Sequence, residues 1–305
     1  MSILILGGSN DQEVISFLNF AYQYQDISKD DFDIITVLLE DEYSPSITWD
    51  YEKDILLINQ KIINIKAIWI RQDIFHVKPS LQIRAQRWHH LLQGWIMSHP
   101  DVKVINRNWL NKFNNKPYQL FTAQKIGLQI PKTVISNSLE VMEAFNNNSI
   151  IKPIDNGYCK ELTDIINNLK NTNNGIRKNQ NNVLVAPCPA FLQNKLETPE
   201  YRIYSIFGDL VCFKLESKLL DHRTDQNVNI THIDQNIFKT DTLIKINKLC
   251  GILDLDFAAI DLKTDTETEN EIFLEINDFP MHSRFDLESF GKVSFTILKH
   301  LMPKN

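Results

Sequence analysis

Short apolar runs alternate with stretches of helical spacing through the first third of the chain. Residues 3 to 6 are continuously apolar and stop at Gly7-Gly8-Ser9-Asn10, the pattern of a buried strand and its turn. Residues 11 to 25 follow with Val14, Phe17, Leu18 and Ala21 at helical spacing. Ile34 to Leu39 and Ile65 to Ile70 are further strand-like runs. Trp88 to Met97 predicts a helix that Pro100 ends. Strands alternating with helices predict an open α/β layer, Rossmann-like in outline. Gly7-Gly8 lacks the GxGxxG spacing of a dinucleotide fingerprint and is read as a plain strand-end turn.

A second unit begins near Asn108. Lys116 to Ile126 is helical with Gly127 placed as its C-cap. A strand at Thr133 to Ile135, a helix from Ser138 to Phe145 and a strand from Ser149 to Pro153 follow. Asp155 to Gln180 is polar and Asn-rich, read as a mobile loop with one amphipathic helix around Leu162 to Leu169. Val183 to Val185 and Ala190 to Leu192 are short apolar runs. Tyr201 to Phe207 and Leu210 to Leu215 predict a hairpin about a Gly208-Asp209 turn. A helix from Thr240 to Cys250 closing at Gly251, two strands that end in acidic residues, and a helix over Val293 to Leu301 complete the chain.

The 305 residues suffice for two or three domains, and 43% hydrophobic and 23% charged residues are those of a soluble globular protein. A formal charge of −6 argues against a nucleic-acid partner. Cys159, Cys188, Cys212 and Cys250 form no CxxC pair, so neither a zinc site nor a disulfide framework is expected. No run reaches membrane-spanning length, and the N-terminus lacks the basic region of a signal peptide. A cytoplasmic protein with reduced thiols is the expectation.

The densest chemistry lies in Phe273-Leu274-Glu275-Ile276-Asn277 and in Asp261, fourteen residues before Glu275. Glu275 and Asn277 are two apart and share one face of a strand. An antiparallel neighbour across the polar turn at Asp265 to Asn270 could bring Asp261 beside them. Two carboxylates and an amide oxygen form a hard, oxygen-only donor set suited to Mg²⁺, or to Mn²⁺. An ordinary hairpin with an acidic wet face has the same pattern.

Taken in order, Lys116 at a helix start, Lys152 closing a strand, Phe191-Leu192-Gln193, Glu200, Arg202 and the Asp261, Glu275, Asn277 group resemble the ATP-grasp superfamily over residues 108 to 280. The resemblance implies an α/β (α+β ATP-grasp) fold: an N-terminal pre-ATP-grasp domain over 1–108, a central lid subdomain over 109–187, and a C-terminal subdomain with the metal site over 188–305. Ala67-Ile68-Trp69-Ile70-Arg71, Gly94-Trp95-Ile96, Ala186-Pro187, Pro199-Glu200-Tyr201-Arg202 and Asp221-His222-Arg223 look like the microviridin (graspetide) ligase branch. Asp221-His222-Arg223 stands where that branch has Asp-aromatic-Arg. One departure is clear. That branch usually continues after the metal-site Asn with Pro-x-Gly-Gln-Trp, whereas this chain reads Asn277-Asp278-Phe279-Pro280-Met281-His282-Ser283-Arg284-Phe285-Asp286. The departure bears on the substrate rather than on the ATP chemistry.

The resemblance implies roles residue by residue. Lys116 and Lys152 would neutralise ATP phosphates. The hinge from Phe191 to Leu196 (Gln193, Asn194, Lys195 and Leu196 by position) would hold adenine, and Glu200 the ribose hydroxyls. Arg202 and Arg223 would handle the substrate carboxylate and its acyl phosphate through a bidentate fork, although a cross-strand salt bridge would also account for Arg202. Asp221 would orient Arg223 or the nucleophile. His89 and His90 are read as helix-surface residues and His282 as an acceptor-pocket residue. The implied enzyme is an ADP-forming ATP-grasp ligase that uses ATP and Mg²⁺ to join side chains of a precursor peptide. The alternatives are a RimK-like ligase adding an amino acid or small carboxylate to an amine, and a non-catalytic nucleotide-binding scaffold. The apolar N-terminal unit, together with the resemblance, raises the expectation of a homodimer.

Overall fold

A computed structural model describes residues 2–28, 30, 32–38, 45–71, 79–107, 115–145, 148–154, 158–171, 177–180, 183–197, 199–220, 222–265, 268 and 270–302. Of the sites named above, Asp221 and the side chain of Arg223 lie outside the described set, as do residues 155–157 and 172–176 of the expected loop.

The chain opens with β1 (Ser2–Gly7), α1 (Gln12–Ile27) and β2 (Asp33–Leu38). Then come β3 (Ile47–Asp50), β4 (Ile55–Ile58), β5 (Lys61–Ile62), β6 (Ile65–Ile70), α2 (Gln82–Ser98) and β7 (Lys103–Val104). Strands β2-β1-β6-β7 form a parallel sheet. Alternation along β1 explains its unbroken apolar run: Ile3 and Ile5 pack with α1, while Leu4 and Leu6 pack with α2. Gly7 is required by close packing, since a Cβ there would lie 2.8 Å from Val14 Cγ2. The antiparallel sheet β3-β4-β5 was not anticipated from the sequence. Nor was the burial of His89, which falls in the stripe Ala85, His89, Leu92, Ile96 on the inner face of α2. The expectation of a surface histidine is corrected for His89, whereas His90 is exposed.

The next elements are α3 (Lys116–Lys125), β8 (Thr133–Ser138), α4 (Leu139–Ala144), β9 (Ser149–Pro153), β10 (Lys160–Glu161), α5 (Leu162–Asn171), β11 (Arg177–Lys178) and β12 (Leu184–Asn194). Here β12 is central, paired with β9, β11 and β8. The two short apolar runs expected around Pro187 and Pro189 are therefore one strand. It tolerates both prolines because its pairing with β8 shifts register between Val185 and Ala190.

The last section comprises β13 (Glu200–Ile206), β14 (Asp209–Glu216), β15 (Asn229–Ile233), α6 (Thr240–Leu253), β16 (Phe257–Thr264), β17 (Glu271–Asn277), α7 (Ser283–Ser289) and α8 (Lys292–Leu301). Its antiparallel sheet runs β15-β14-β13-β16-β17. The β13–β14 turn is Phe207-Gly208, both at positive φ (49° and 91°), one residue earlier than expected. Helix α6 runs through Gly251 to Leu253 and is capped by Asp254 in the left-handed region, so Gly251 does not end it. One face of this sheet packs with α3 and α6. The other shares a core with β1, α1, Trp69, α7 and α8, so apolar burial joins the N-terminal and C-terminal sheets into one body. None of the described helices is long and apolar enough to cross a membrane.

Candidate active site

The cleft between the β12 sheet and the β13–β17 sheet is lined by Lys116, Lys152, Gln193, Asn194, Lys195, Leu196, Glu200, Asp261 and Glu275. All were expected at a nucleotide site, and they come from six elements, α3, β9, β12, β13, β16 and β17, and the residues that follow β12. The pairing of β16 with β17 sets Asp261 opposite Glu275 and Ala259 opposite Asn277. Asn277 Nδ2 lies 3.5 Å from Asp261 Oδ2 and 3.4 Å from Glu275 Oε1, so the three side chains converge as the alternation rule required.

Like charges directly opposite on neighbouring strands are destabilising. Burial pushes the Asp261 carboxyl up, and Glu200 and Glu275 add to the push, although Arg202 opposes it. A divalent cation held between them would relieve both penalties. Turning the Asn277 amide about its last torsion would present oxygen instead of nitrogen, so the donor set fits Mg²⁺ or Mn²⁺. Lys116 is the first residue of α3, where the helix dipole disfavours a cation. It is held there by Glu275, with Nζ 3.6 Å from Oε2.

Arg202 faces Asp261 across β13 and β16. Its Nε and Nη2 each donate to one Asp261 carboxylate oxygen at 2.8 Å. Burial works against the charge on Arg202, but Asp261 outweighs it and holds the guanidinium protonated. The salt-bridge alternative weighed for Arg202 is thus present, and it couples Arg202 to the oxygen-donor group.

The expected hinge is the end of β12 and the residues after it. The amide of Asn194 donates to Lys132 O at 3.2 Å and that of Lys195 to Asn148 O at 3.1 Å. Gln193 is buried, and its Nε2 donates to Thr133 Oγ1 at 3.1 Å. The Lys195 ammonium turns to Glu161 at 2.7 Å. Lys263, which the sequence reading passed over, donates from Nζ to Leu196 O at 3.2 Å and lies 3.9 Å from Glu200 Oε2. It stands two residues after Asp261 on the same strand face, so the alternation that found Asp261 also marks Lys263. His222 Nδ1 is 3.0 Å from Glu200 Oε1. Burial pushes the Glu200 carboxyl up, but His222, Lys263 and Arg202 outweigh it and hold it below the usual range.

A second cavity of about 540 Å³ adjoins the cleft. His222 lines both, and Arg202 lines the cavity. Leu215, Val228, Ile230, Met281 and Phe285 give it apolar walls, with Ser283 and Arg284 among its polar groups. The divergent segment after Asn277 therefore does border a cavity beside the oxygen donors. His282 does not. It is fully buried, with Nδ1 3.0 Å from Glu13 Oε2 and Nε2 3.8 Å from Asp286 Oδ2. The acceptor-pocket expectation for His282 is corrected to a buried contact with the side chains of Glu13 and Asp286. Burial pushes the Glu13 carboxyl up, but His282 and the amides of His282 and Ser283 outweigh it and lower it to about 2.

No family model and no curated protein matches this chain. Solved structures do. The ATP-grasp ligase PsnB complexed with minimal precursor, Mg and ADP is 15% identical over 98% of this chain and 97% of its own, with a TM-score of 0.69. The macrocyclase MdnC from Microcystis aeruginosa MRC, bound with precursor peptide MdnA, is 18% identical over the whole of both chains, with a TM-score of 0.65. A Chryseobacterium gregarium RiPP-associated ATP-grasp ligase, in complex with ADP and a leader and core peptide, is 18% identical over 99% of this chain and 98% of its own, with a TM-score of 0.63. The fold of this chain is that of these ATP-grasp ligases.

Proposed function

We propose that the protein is an ATP-dependent carboxylate ligase that forms side-chain ester or amide crosslinks in a ribosomally made precursor peptide. The observation that carries the reading is the Arg202–Asp261 pair. It ties the oxygen donors of the nucleotide cleft to the floor of the adjoining cavity, where a carboxylate would have to meet the terminal phosphate. The neighbours, whose structures hold ADP, Mg and precursor peptides, support the same reading.

In this reading Asp261, Glu275 and Asn277 hold Mg²⁺, which offsets charge on the β- and γ-phosphates when bound. Lys116 and Lys152 neutralise further phosphate charge. With the Asn194 and Lys195 amides engaged by the chain, the adenine edge is read by the peptide between Lys195 and Leu196. Glu200 accepts from the ribose hydroxyls, steadied by His222 and Lys263. A substrate carboxylate in the cavity, guided by Arg202 and Arg223, attacks the γ-phosphorus, giving an acyl phosphate and ADP. A hydroxyl or amine oriented by Asp221 then attacks the acyl carbon, and phosphate leaves as the nucleophile loses its proton. Catalysis rests on positioning and fixed charge. An ATP-consuming reaction suits the cytoplasm.

Incubation with a candidate precursor peptide and MgATP tests the reading. Loss of one water per crosslink with stoichiometric ADP supports it. Added mass indicates ligation of a second molecule, and nucleotide binding without ADP formation indicates a scaffold.

A further inference from the structure

Among the described residues, none before Lys116 lines the cleft or the adjoining cavity. The N-terminal sheet nevertheless reaches the cavity through one segment. Glu13, in the first turn of α1, is 2% exposed. Its Oε2 accepts from the amide of His282 and, at 2.6 Å, from that of Ser283. Its Oε1 accepts from Ser283 Oγ at 2.9 Å. Two other residues of the N-terminal unit grip the same segment. Arg71 Nη1 donates to Pro280 O at 3.5 Å, and Asn106 Nδ2 donates to Asp278 O at 2.8 Å. Ser283 therefore both binds Glu13 and lines the cavity, between Met281 and Phe285, which line it too.

Burying a carboxylate is costly unless it is paired and hydrogen-bonded. At Glu13 the donors named above come from the last residue of the β17–α7 connection and the first residue of α7, and such connections are ordinarily mobile. A displacement of about 1 Å at a reacting centre can cost roughly a hundredfold in rate, so such a wall needs holding.

We propose that Glu13 is a positioning residue. Through His282 and Ser283 it fixes the wall of the cavity in which the substrate carboxylate is held, so the N-terminal sheet sets substrate fit without touching substrate. The inference rests on the ligase reading of that cavity.

The test compares the full-length chain with Glu13→Gln and Glu13→Ala. It uses hydrogen exchange over residues 278–286, calorimetry with Mg²⁺ and a nonhydrolysable ATP analogue, and ADP release against precursor-peptide concentration. For Glu13→Ala we expect exchange over 278–286 to speed up while β16 and β17 stay protected. Peptide KM should rise about tenfold, the scale of one hydrogen bond to a charged group, with nucleotide Kd unchanged. Glu13→Gln keeps an acceptor oxygen and should fall between, and it carries the test if the alanine variant does not fold. Unchanged exchange, or faster exchange with unchanged peptide KM in a chain whose wild type is active, overturns the proposal. So does a joint fall in kcat and nucleotide affinity, the mark of a merely structural role. A wild type that releases no ADP with any carboxylate peptide shows instead that the ligase reading has failed, and the positioning role fails with it.

Discussion

Arg202 and Asp261 stand directly opposite each other on β13 and β16 and share two parallel hydrogen bonds of 2.8 Å in a buried site. A bidentate guanidinium–carboxylate pair fixes orientation as well as charge. Each partner thereby sets where the other can act, and neither can be altered alone without exposing the other's buried charge.

Arg202→Met should destabilise the metal-free protein by about 3–5 kcal/mol, because it strands Asp261 as an uncompensated buried charge. The double variant Arg202→Met with Asp261→Leu should recover most of that loss in urea unfolding. Arg202→Lys keeps a charge but loses the fork, and ADP release should fall about a hundredfold with the fold intact.

Glu275→Ala should abolish ADP release. Wild type should gain thermal stability from Mg²⁺ with a nonhydrolysable ATP analogue, by mass action on the folded state, and the variant should lose that gain. Without metal or nucleotide the variant should be no less stable than wild type, since it removes a like charge set directly opposite Asp261. Thermal scans with and without ligand check both halves.

The Glu275–Asn277 pair was legible because strand alternation is local: the two share a face whatever lies beyond them. Lys263 obeys the same rule, being two residues from Asp261 on β16. His89 was legible too, at helical spacing from Ala85, Leu92 and Ile96. Glu13 and His282 are different. Their contact joins residues 269 positions apart, and a glutamate in a first helical turn is already accounted for by the helix dipole. Nothing local marks it as buried.

Glu200→Gln should raise ATP KM about tenfold with little change in kcat, the signature of binding energy expressed equally in ground and transition states. His222, Lys263 and Arg202 hold the Glu200 carboxyl below its ordinary value of 4.5 against the effect of burial. Glu200 therefore stays ionised throughout the neutral range, and ATP KM should not follow its titration above pH 4.5. Initial-rate measurements across pH check the prediction. An inflection in ATP KM near pH 6 that vanishes in Glu200→Gln would contradict it.

The Glu13 carboxyl is lowered from 4.5 to about 2 in the folded protein. A depressed carboxyl contributes stability that is fully present above its unfolded value and is lost as pH falls through its folded value. The window therefore runs from about pH 5 down to about pH 2, and the shift corresponds to roughly 3 kcal/mol. Glu13→Gln cannot titrate and should lack this component, so the stability difference between wild type and variant should be largest near neutrality and should shrink across that window. Urea unfolding of both proteins through the acid range measures the difference, which cancels the contribution of carboxylates common to both. A constant difference down to pH 2 would mean that Glu13 takes up its proton at the same pH folded and unfolded, so that His282 and the two amides lend its charge no stability, contrary to the hydrogen bonds that hold it.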